Sequence, residues 1–374
     1  MKILLIPTND RLGQASIIEH YWKLGHEVFI PKFGSFSSLG LDWSKITQWP
    51  SLLCNDPIGQ RNLEKHGLTT ENCFGEDFFL TQEEIACSAD SPVVSILDED
   101  ELKSINFDAY HTLRGGDDKL YLYKKILNYI GSPHAKWITS SMSAWDQCPQ
   151  LKPVNVARIL PAPYENYDYS CNTFNMFCLD TEFKLLDINR DYARKNEVAS
   201  FNHNFHVRQH QDFELFNRMN FILKSEGYSE VLNYGGNTRG MGADIRHSKD
   251  TNPVNPYKTL SPKENIIKYK SLKAVVHFKQ TDWGGGVFFH ALHTETPIIT
   301  TRRYVNASCS GKYLVDGYNC LLVDNEVEAA NAVMVLLSNE KIQTRLSFGM
   351  KDLKDKIFDS VYWSSWESFL RNLA

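Results

Sequence analysis

Three consecutive glycines, Gly284–Gly286, separate an apolar run, Ala274–Phe278, from an apolar helical stretch, Gly286–His293. A short continuous apolar run reads as a strand covered on both faces, and such strands are joined by crossover helices. Glycines between strand and helix let the backbone approach a ligand closely, and the free amides of the helix start point at an anion. Phosphate or diphosphate is the natural guest. The same alternation recurs along the chain. Lys2–Pro7 is a buried-strand run, Gln14–Leu24 carries Ile17, Ile18, Tyr21 and Leu24 at helical spacing, Gly25 stops that helix, and Glu27–Pro31 returns as a strand. This βαβ opening is followed by strands at Phe107–Leu113, Lys136–Ser140 and Arg158–Leu160, with a helix at Lys119–Ile130. A second set has strands at Val198–Phe201, Glu230–Tyr234, Pro297–Thr300 and Cys320–Val323, and helices at Asp212–Lys224, Pro262–Tyr269 and Val327–Leu337. The fold class is α/β with parallel sheets.

A chain of 374 residues exceeds the size at which one core stops growing, roughly 250–300 residues, so two domains are expected. We read residues 1–165 as the first, 166–195 as the connection, 196–350 as the second and 351–374 as a closing helical segment. Residues 32–102 are least regular; Pro92–Leu97 reads as a strand and the run Asp98–Glu101 as a solvated face. Forty basic against forty-five acidic side chains give a net charge of −5, which excludes a strongly basic nucleic-acid coat. No apolar run reaches the roughly 18–20 residues that cross a bilayer, and the opening run is too short for a signal peptide. Eight cysteines contain no Cys-x-x-Cys pair and no zinc spacing, so reduced thiols, no metal centre and a cytoplasmic location are expected.

Several polar residues stand where chemistry is done. Asp282 opens the glycine loop and His290 follows one helical stretch later, so both can face one cleft. Arg114–Asp118 follows His111 at a strand end; Asp117 and Asp118 either cap the next helix or serve a ligand. His203, His206 and His210 have helical spacing, but a surface loop outweighs a metal site. Trp283 either stacks on a sugar or base, or fills a cleft.

The stretch from Asp282 to Ala291 resembles the E-x-F-G-x-x-x-x-E-A motif of the retaining family 4 glycosyltransferases, which have the GT-B fold. Asp282 and His290 stand at its two acidic positions, and Gly285 at its glycine. Gly25-His26-Glu27-Val28 is similar to the end of that family's first βαβ unit. Phe107–Thr112 is similar to its strand with a cleft-facing histidine, and Arg158–Glu165 to its first-domain closure. Tyr313–Val323 resembles its late v-x-D-G-x-N-G-L-L-V segment, with Cys320 in place of a glycine, and Trp363–Leu370 its final helix.

The resemblance implies two Rossmann-like domains facing across a cleft, with the C-terminal helix crossing back to the first. It implies transfer of a sugar from a nucleotide-sugar donor to a hydroxyl acceptor, with retained configuration and without cofactor or essential metal. On this carry-over His111 contacts the donor sugar, Asp282 holds its hydroxyls, and His290 accepts a ribose hydroxyl through a neutral ring nitrogen. Gly13, Gly285, Gly286 and Val287 admit the diphosphate. His203 and Arg208 occupy the family's Arg and Lys positions, leaving Arg208 as the certain cation, with Lys279, Arg239 or Arg302–Arg303 as substitutes. A glycan acceptor is favoured over a modified DNA base, since the irregular stretch 32–102 is acidic. Two rivals stay open: a nucleotide-sugar epimerase of the same fold, and a donor-binding protein whose catalysis is impaired by His290.

Overall fold

The computed structural model describes residues 1–6, 11–32, 34–42, 94–113, 117–141, 155–159, 172–177, 194–202, 210–234, 262–280 and 286–373. Gly13 belongs to a described helix by its backbone alone, and His203, Arg208, Asp282 and Gly285 lie outside the described residues. The chain divides into two compact units, residues 1–189 with 360–374, and residues 190–359.

The first unit holds a seven-stranded parallel sheet in the order β3-β2-β1-β4-β5-β6-β7. Its strands are β1 (Lys2–Ile6), β2 (Glu27–Pro31), β3 (Val94–Leu97), β4 (Ala109–Leu113), β5 (Lys136–Ser141), β6 (Asn155–Ile159) and β7 (Thr173–Met176). The interior strand β1 is buried from Ile3 to Ile6, which is why its sequence is continuous rather than alternating. Helix α1 (Arg11–Trp22) buries Ile17, Ile18 and Tyr21 and ends at Gly25, whose φ of 71° requires the left-handed conformation. On one face, Leu4, Phe29, Tyr110, Trp137 and residues of α3 (Asp117–Tyr129) form the core, with the Tyr110 and Trp137 rings stacked 5.8 Å apart.

One expectation changes in this unit and another gains detail. The acidic run, with Asp100 exposed, also opens a helix, α2 (Glu99–Lys103). Asp98 accepts from the amides of Asp100 and Glu101 while Glu101 reaches back to the Asp98 amide, a reciprocal cap. The expected connection, 166–195, contains β7, paired in register with β6 through Ala157 and Phe174. That strand is short and half polar, and its burial comes from distant partners. These sit on α10 (Ser360–Arg371), where the Trp366 and Phe369 rings lie 4.9 and 6.0 Å from Phe174.

The second unit holds a five-stranded parallel sheet in the order β12-β11-β10-β8-β9. Its strands are β8 (Val198–Ser200), β9 (Leu232–Asn233), β10 (Ala274–His277), β11 (Ile298–Thr301) and β12 (Cys320–Val323). Helices α4 (His210–Ser225) and α8 (Glu326–Ser338) share one face, burying Phe216, Met219, Leu223, Ala329, Val333 and Leu336 against the sheet. Helices α5 (Pro262–Ser271) and α6 (Gly286–His293) precede and follow β10, and α7 (Arg302–Ala307) continues directly from β11.

The end of the chain also departs from the expected single segment 351–374. Helix α9 (Glu340–Ile357) lies wholly in the second unit, and α10 lies in the first. Gly349, inside α9, meets the carbonyl of Tyr318 so closely that no Cβ fits between them. Among the described residues, no helix is long and apolar enough to cross a membrane. Neither Cys309 nor Cys320 is in a disulfide; the other cysteines lie outside the described residues.

Candidate functional site

The order of the second sheet locates the place where a ligand is expected. From β8 the chain goes outward to β9 on one side, then returns to β10 on the other, so the winding direction reverses between β8 and β10. Ligands of open α/β sheets bind outside the carboxyl ends of the strands at such a reversal. Helix α6, whose glycine entry singled it out in the sequence, begins after β10 at this point.

Gly286 is exposed at the start of α6 and Val287 is half-buried, whereas Phe288 and Phe289 are buried and fix the helix against the unit. Side chains of a helix lean toward its N-terminus, and His290 does so. Its Nε2 lies 3.9 Å from the position a Cβ on Gly286 would take, so the ring edge stands beside the first amides of α6. The His290 ring packs 5.1 Å from Tyr269, and Tyr269 stacks 4.0 Å from Phe201 at an interplanar angle of 17°. This aromatic column joins the residue just after β8 to the start of α6. Burial holds the Tyr269 phenol well above its ordinary range, so it stays neutral. The structure therefore brings Gly286, Val287 and His290 together; their counterparts Asp282, Gly285, His203 and Arg208 lie outside the described residues.

Beside this column, the ends of β8 and β9 are tied by paired amides. The Asn202 amide donates to Asn233 Oδ1 at 2.9 Å, and Asn233 Nδ2 donates to the Asn202 carbonyl at 3.0 Å. Asn202 Nδ2 donates to Ser200 Oγ at 3.1 Å. These contacts hold the backbone that leads toward His203.

Of the substitute cations expected near the glycine loop, Arg302 and Arg303 are held in ion pairs with Asp324, Asp316 and Asp212. Arg302 donates to Asp324 at 2.6 Å and to Asp316 at 3.4 Å. Arg303 pairs with Asp212 and donates to Gln211 at 2.9 Å. Burial pushes the Asp212 carboxyl above its ordinary range, and the Arg303 guanidinium pulls against that shift. A cavity of about 330 Å³ opens here, lined by Asp212, Arg218, Thr301, Arg303, Asp324 and Glu326. Both arginines thus belong to the polar wall between α4, α7 and β12. Lys279 follows β10 and is half-buried, and Arg239 lies outside the described residues.

His111, in the first unit, is fully buried in β4. Its Nδ1 is 2.8 Å from Tyr21 Oη and its Nε2 is 2.5 Å from Ser140 Oγ. Burial lowers its pKa to about 3, with the nearby His20 adding to the shift. Both ring nitrogens are therefore used within the core. Asp117 and Asp118 are the first two residues of α3 by its backbone.

Sequence reasoning missed Tyr269, Asn202, Asn233 and Arg194. Arg194 is mostly buried and its guanidinium donates to the carbonyls of Leu272, Thr294 and Glu295 and to Thr296 Oγ1. It thus satisfies orphan carbonyls where α5 and α6 end. No local pattern marks such residues, since each acquires its role from partners far away in the chain.

No family model matches this chain, and no curated protein matches it. Solved structures do match along its whole length. Anabaena HepE, in complex with UDP and glucose, is 11% identical with a TM-score of 0.57, and 100% of each chain is covered. Sucrose-phosphate synthase from Thermosynechococcus elongatus is 13% identical with a TM-score of 0.55, covering 100% of this chain and 99% of its own. A glycosyltransferase from Rickettsia africae is 12% identical with a TM-score of 0.55, covering 99% of both. The likeness is one of fold, and the fold is GT-B.

Proposed function

We propose that this chain is a glycosyltransferase that takes a nucleotide-sugar donor on its second unit. The observation that carries the reading is the exposed Gly286 at the start of α6, with the His290 ring edge beside it, at the winding reversal between β8 and β10. The full-length likeness to the UDP-bound HepE supports it.

The chemistry asks for charge stabilisation. As the glycosidic bond breaks, the leaving diphosphate gains negative charge, and preorganised donors must already be aimed at it. In this reading the amides of Gly285, Gly286 and Val287 receive that charge together with Arg208, and Gly13 is assigned to close diphosphate approach. Asp282 holds the sugar hydroxyls, and His290 accepts a ribose hydroxyl. His203 is assigned to the same diphosphate task as Arg208. His111 serves through its neighbours Tyr21 and Ser140 rather than by direct contact with the sugar. Helix dipole and cation together neutralise diphosphate, so the reading includes metal independence. It also includes retained configuration and a glycan acceptor.

The test is turnover of a panel of nucleotide sugars, with and without oligosaccharide acceptors, in excess chelator. Acceptor-dependent release of nucleoside diphosphate and an α-linked product from an α-linked donor are expected. A changed free nucleotide sugar without acceptor would instead indicate epimerisation, and donor binding without any product an inert binder. Failure of UDP and every nucleotide sugar to bind would sink the reading.

A further inference from the structure

The chain passes between its two units twice, between Asn189 and Arg190 and between Asp359 and Ser360. Both passages are fastened, inside the second unit, to one turn, the first to all three of its residues and the second to Glu295. The turn is Thr294, Glu295 and Thr296, which ends α6. From the first passage comes Arg194, whose guanidinium reaches the carbonyls of Thr294 at 3.2 Å and Glu295 at 2.9 Å and Thr296 Oγ1 at 3.2 Å. The following residue is tied as well, since the Lys195 amide donates to the Ser271 carbonyl at 2.6 Å. Toward the second passage, Lys354 on α9 donates to Glu295 Oε1 at 2.6 Å. The Phe358 ring stacks on His293, the last residue of α6, at 5.7 Å and 21°.

The turn itself is built to hold one shape. Glu295 has φ 56°, a left-handed conformation that side-chain-bearing residues seldom adopt. Thr294 Oγ1 bonds the His290 carbonyl at 2.7 Å and Thr296 Oγ1 at 2.9 Å, and Thr296 Oγ1 reaches the Tyr269 carbonyl at 3.0 Å. These bonds run back to His290 and Tyr269, the two rings that stand at the ligand end. Helix α6 has only eight residues, so its first amides and its closing turn lie about two helical turns apart.

We propose that the Thr294–Thr296 turn transmits donor occupancy from the start of α6 to both chain passages, with Arg194 and Lys354 as positioning residues. The inference rests on the reading that a nucleoside diphosphate binds at the start of α6. It adds that binding there tightens residues 194–197 and 357–360, which contact no part of the ligand.

Hydrogen exchange followed by mass spectrometry on the full chain, with and without UDP, tests this. In the wild type UDP should slow exchange at 286–290, and also at 194–197 and 357–360, by about threefold or more. Arg194→Met, which keeps an apolar stem, should abolish the UDP effect at 194–197 while retaining it at 286–290. Lys354→Met, at a partly exposed pair, leaves the buried clamp intact and should abolish the effect only at 357–360. A clamp with a merely structural role would change exchange equally with and without UDP. Protection at 286–290 with no UDP effect at either passage overturns the coupling and leaves the donor reading standing. Binding of UDP without protection at 286–290 overturns both.

Discussion

Gly349 owes its identity to a single neighbour, whereas His290 stands among several. The His290 ring edge stands beside Gly286 at the start of α6, so under the proposed donor reading its replacement weakens ligand binding. His290→Ala should weaken UDP by about 1 kcal/mol, the typical worth of a neutral hydrogen bond, or about fivefold in affinity. His290→Glu keeps an acceptor and should restore most of it. Calorimetry on both variants checks this, and an unchanged affinity in His290→Ala would remove the residue from the site. Gly349 is the opposite case. Its position against Tyr318 leaves no room, so Gly349→Ala should cost about 1–3 kcal/mol of stability in urea unfolding. Gly286→Ala, whose added Cβ would meet only His290 Nε2 at 3.9 Å, should unfold at nearly the wild-type urea concentration.

At the scale of elements, α10 is docked by a buried histidine. His20 Nδ1 is 2.6 Å from the Ser16 carbonyl and so carries the proton; its Nε2 accepts from Tyr362 Oη at 2.6 Å. Trp366 Nε1 donates to the His20 carbonyl at 2.9 Å, and Asn172 Nδ2 to the Phe369 carbonyl at 2.8 Å. Burial lowers the pKa of His20 to about 3, as it does for His111. Both are neutral in the folded protein, while the unfolded chain takes up protons below about pH 6.5. Stability from these two groups is therefore complete above pH 6.5 and is lost as pH falls toward 3, by about 1.4 kcal/mol per pH unit for each. His20→Gln retains a hydrogen-bonding side chain that does not titrate. Its urea unfolding at pH 7, 6 and 5 should show a shallower decline than the wild type, and parallel declines would refute the assignment.

The same scale shows what was legible in the sequence. Strand β10 and helix α6 were readable because an apolar run, glycines and a second apolar run are all local signals. Helix α9 was not, although Ile342, Leu346 and Met350 follow helical spacing, because an interior glycine and the exposed Phe348 interrupt the pattern. The glycine is there for Tyr318, a partner no window around it contains. Strand β7 was hidden for a similar reason, since Phe174 is buried by aromatic residues nearly two hundred positions later. Of the site, the glycines and His290 were visible as a motif. Arg194, Tyr269, Asn202 and Asn233 were not, because their roles come from carbonyls and rings that only the folded unit assembles.

At the scale of the whole molecule, the first unit is not one stretch of chain but two, residues 1–189 and 360–374. A protein made from its N-terminus onward therefore begins this unit before the second and completes it after. Until residues 360–374 leave the ribosome, Phe174, His20 and Tyr21 lack the covering rings of Tyr362, Trp366 and Phe369. The second unit, continuous from 190 to 359, is complete before that closure. Chains ending at Ile357 should accordingly retain a protease-resistant second unit beside a first unit that is rapidly digested. Equal resistance of the two units in such a truncated chain would show that the closing helix is dispensable. A chain stop between Phe358 and Trp366 would then be far more damaging than the few residues it removes suggest, because it uncovers the earliest-made part of the nascent chain.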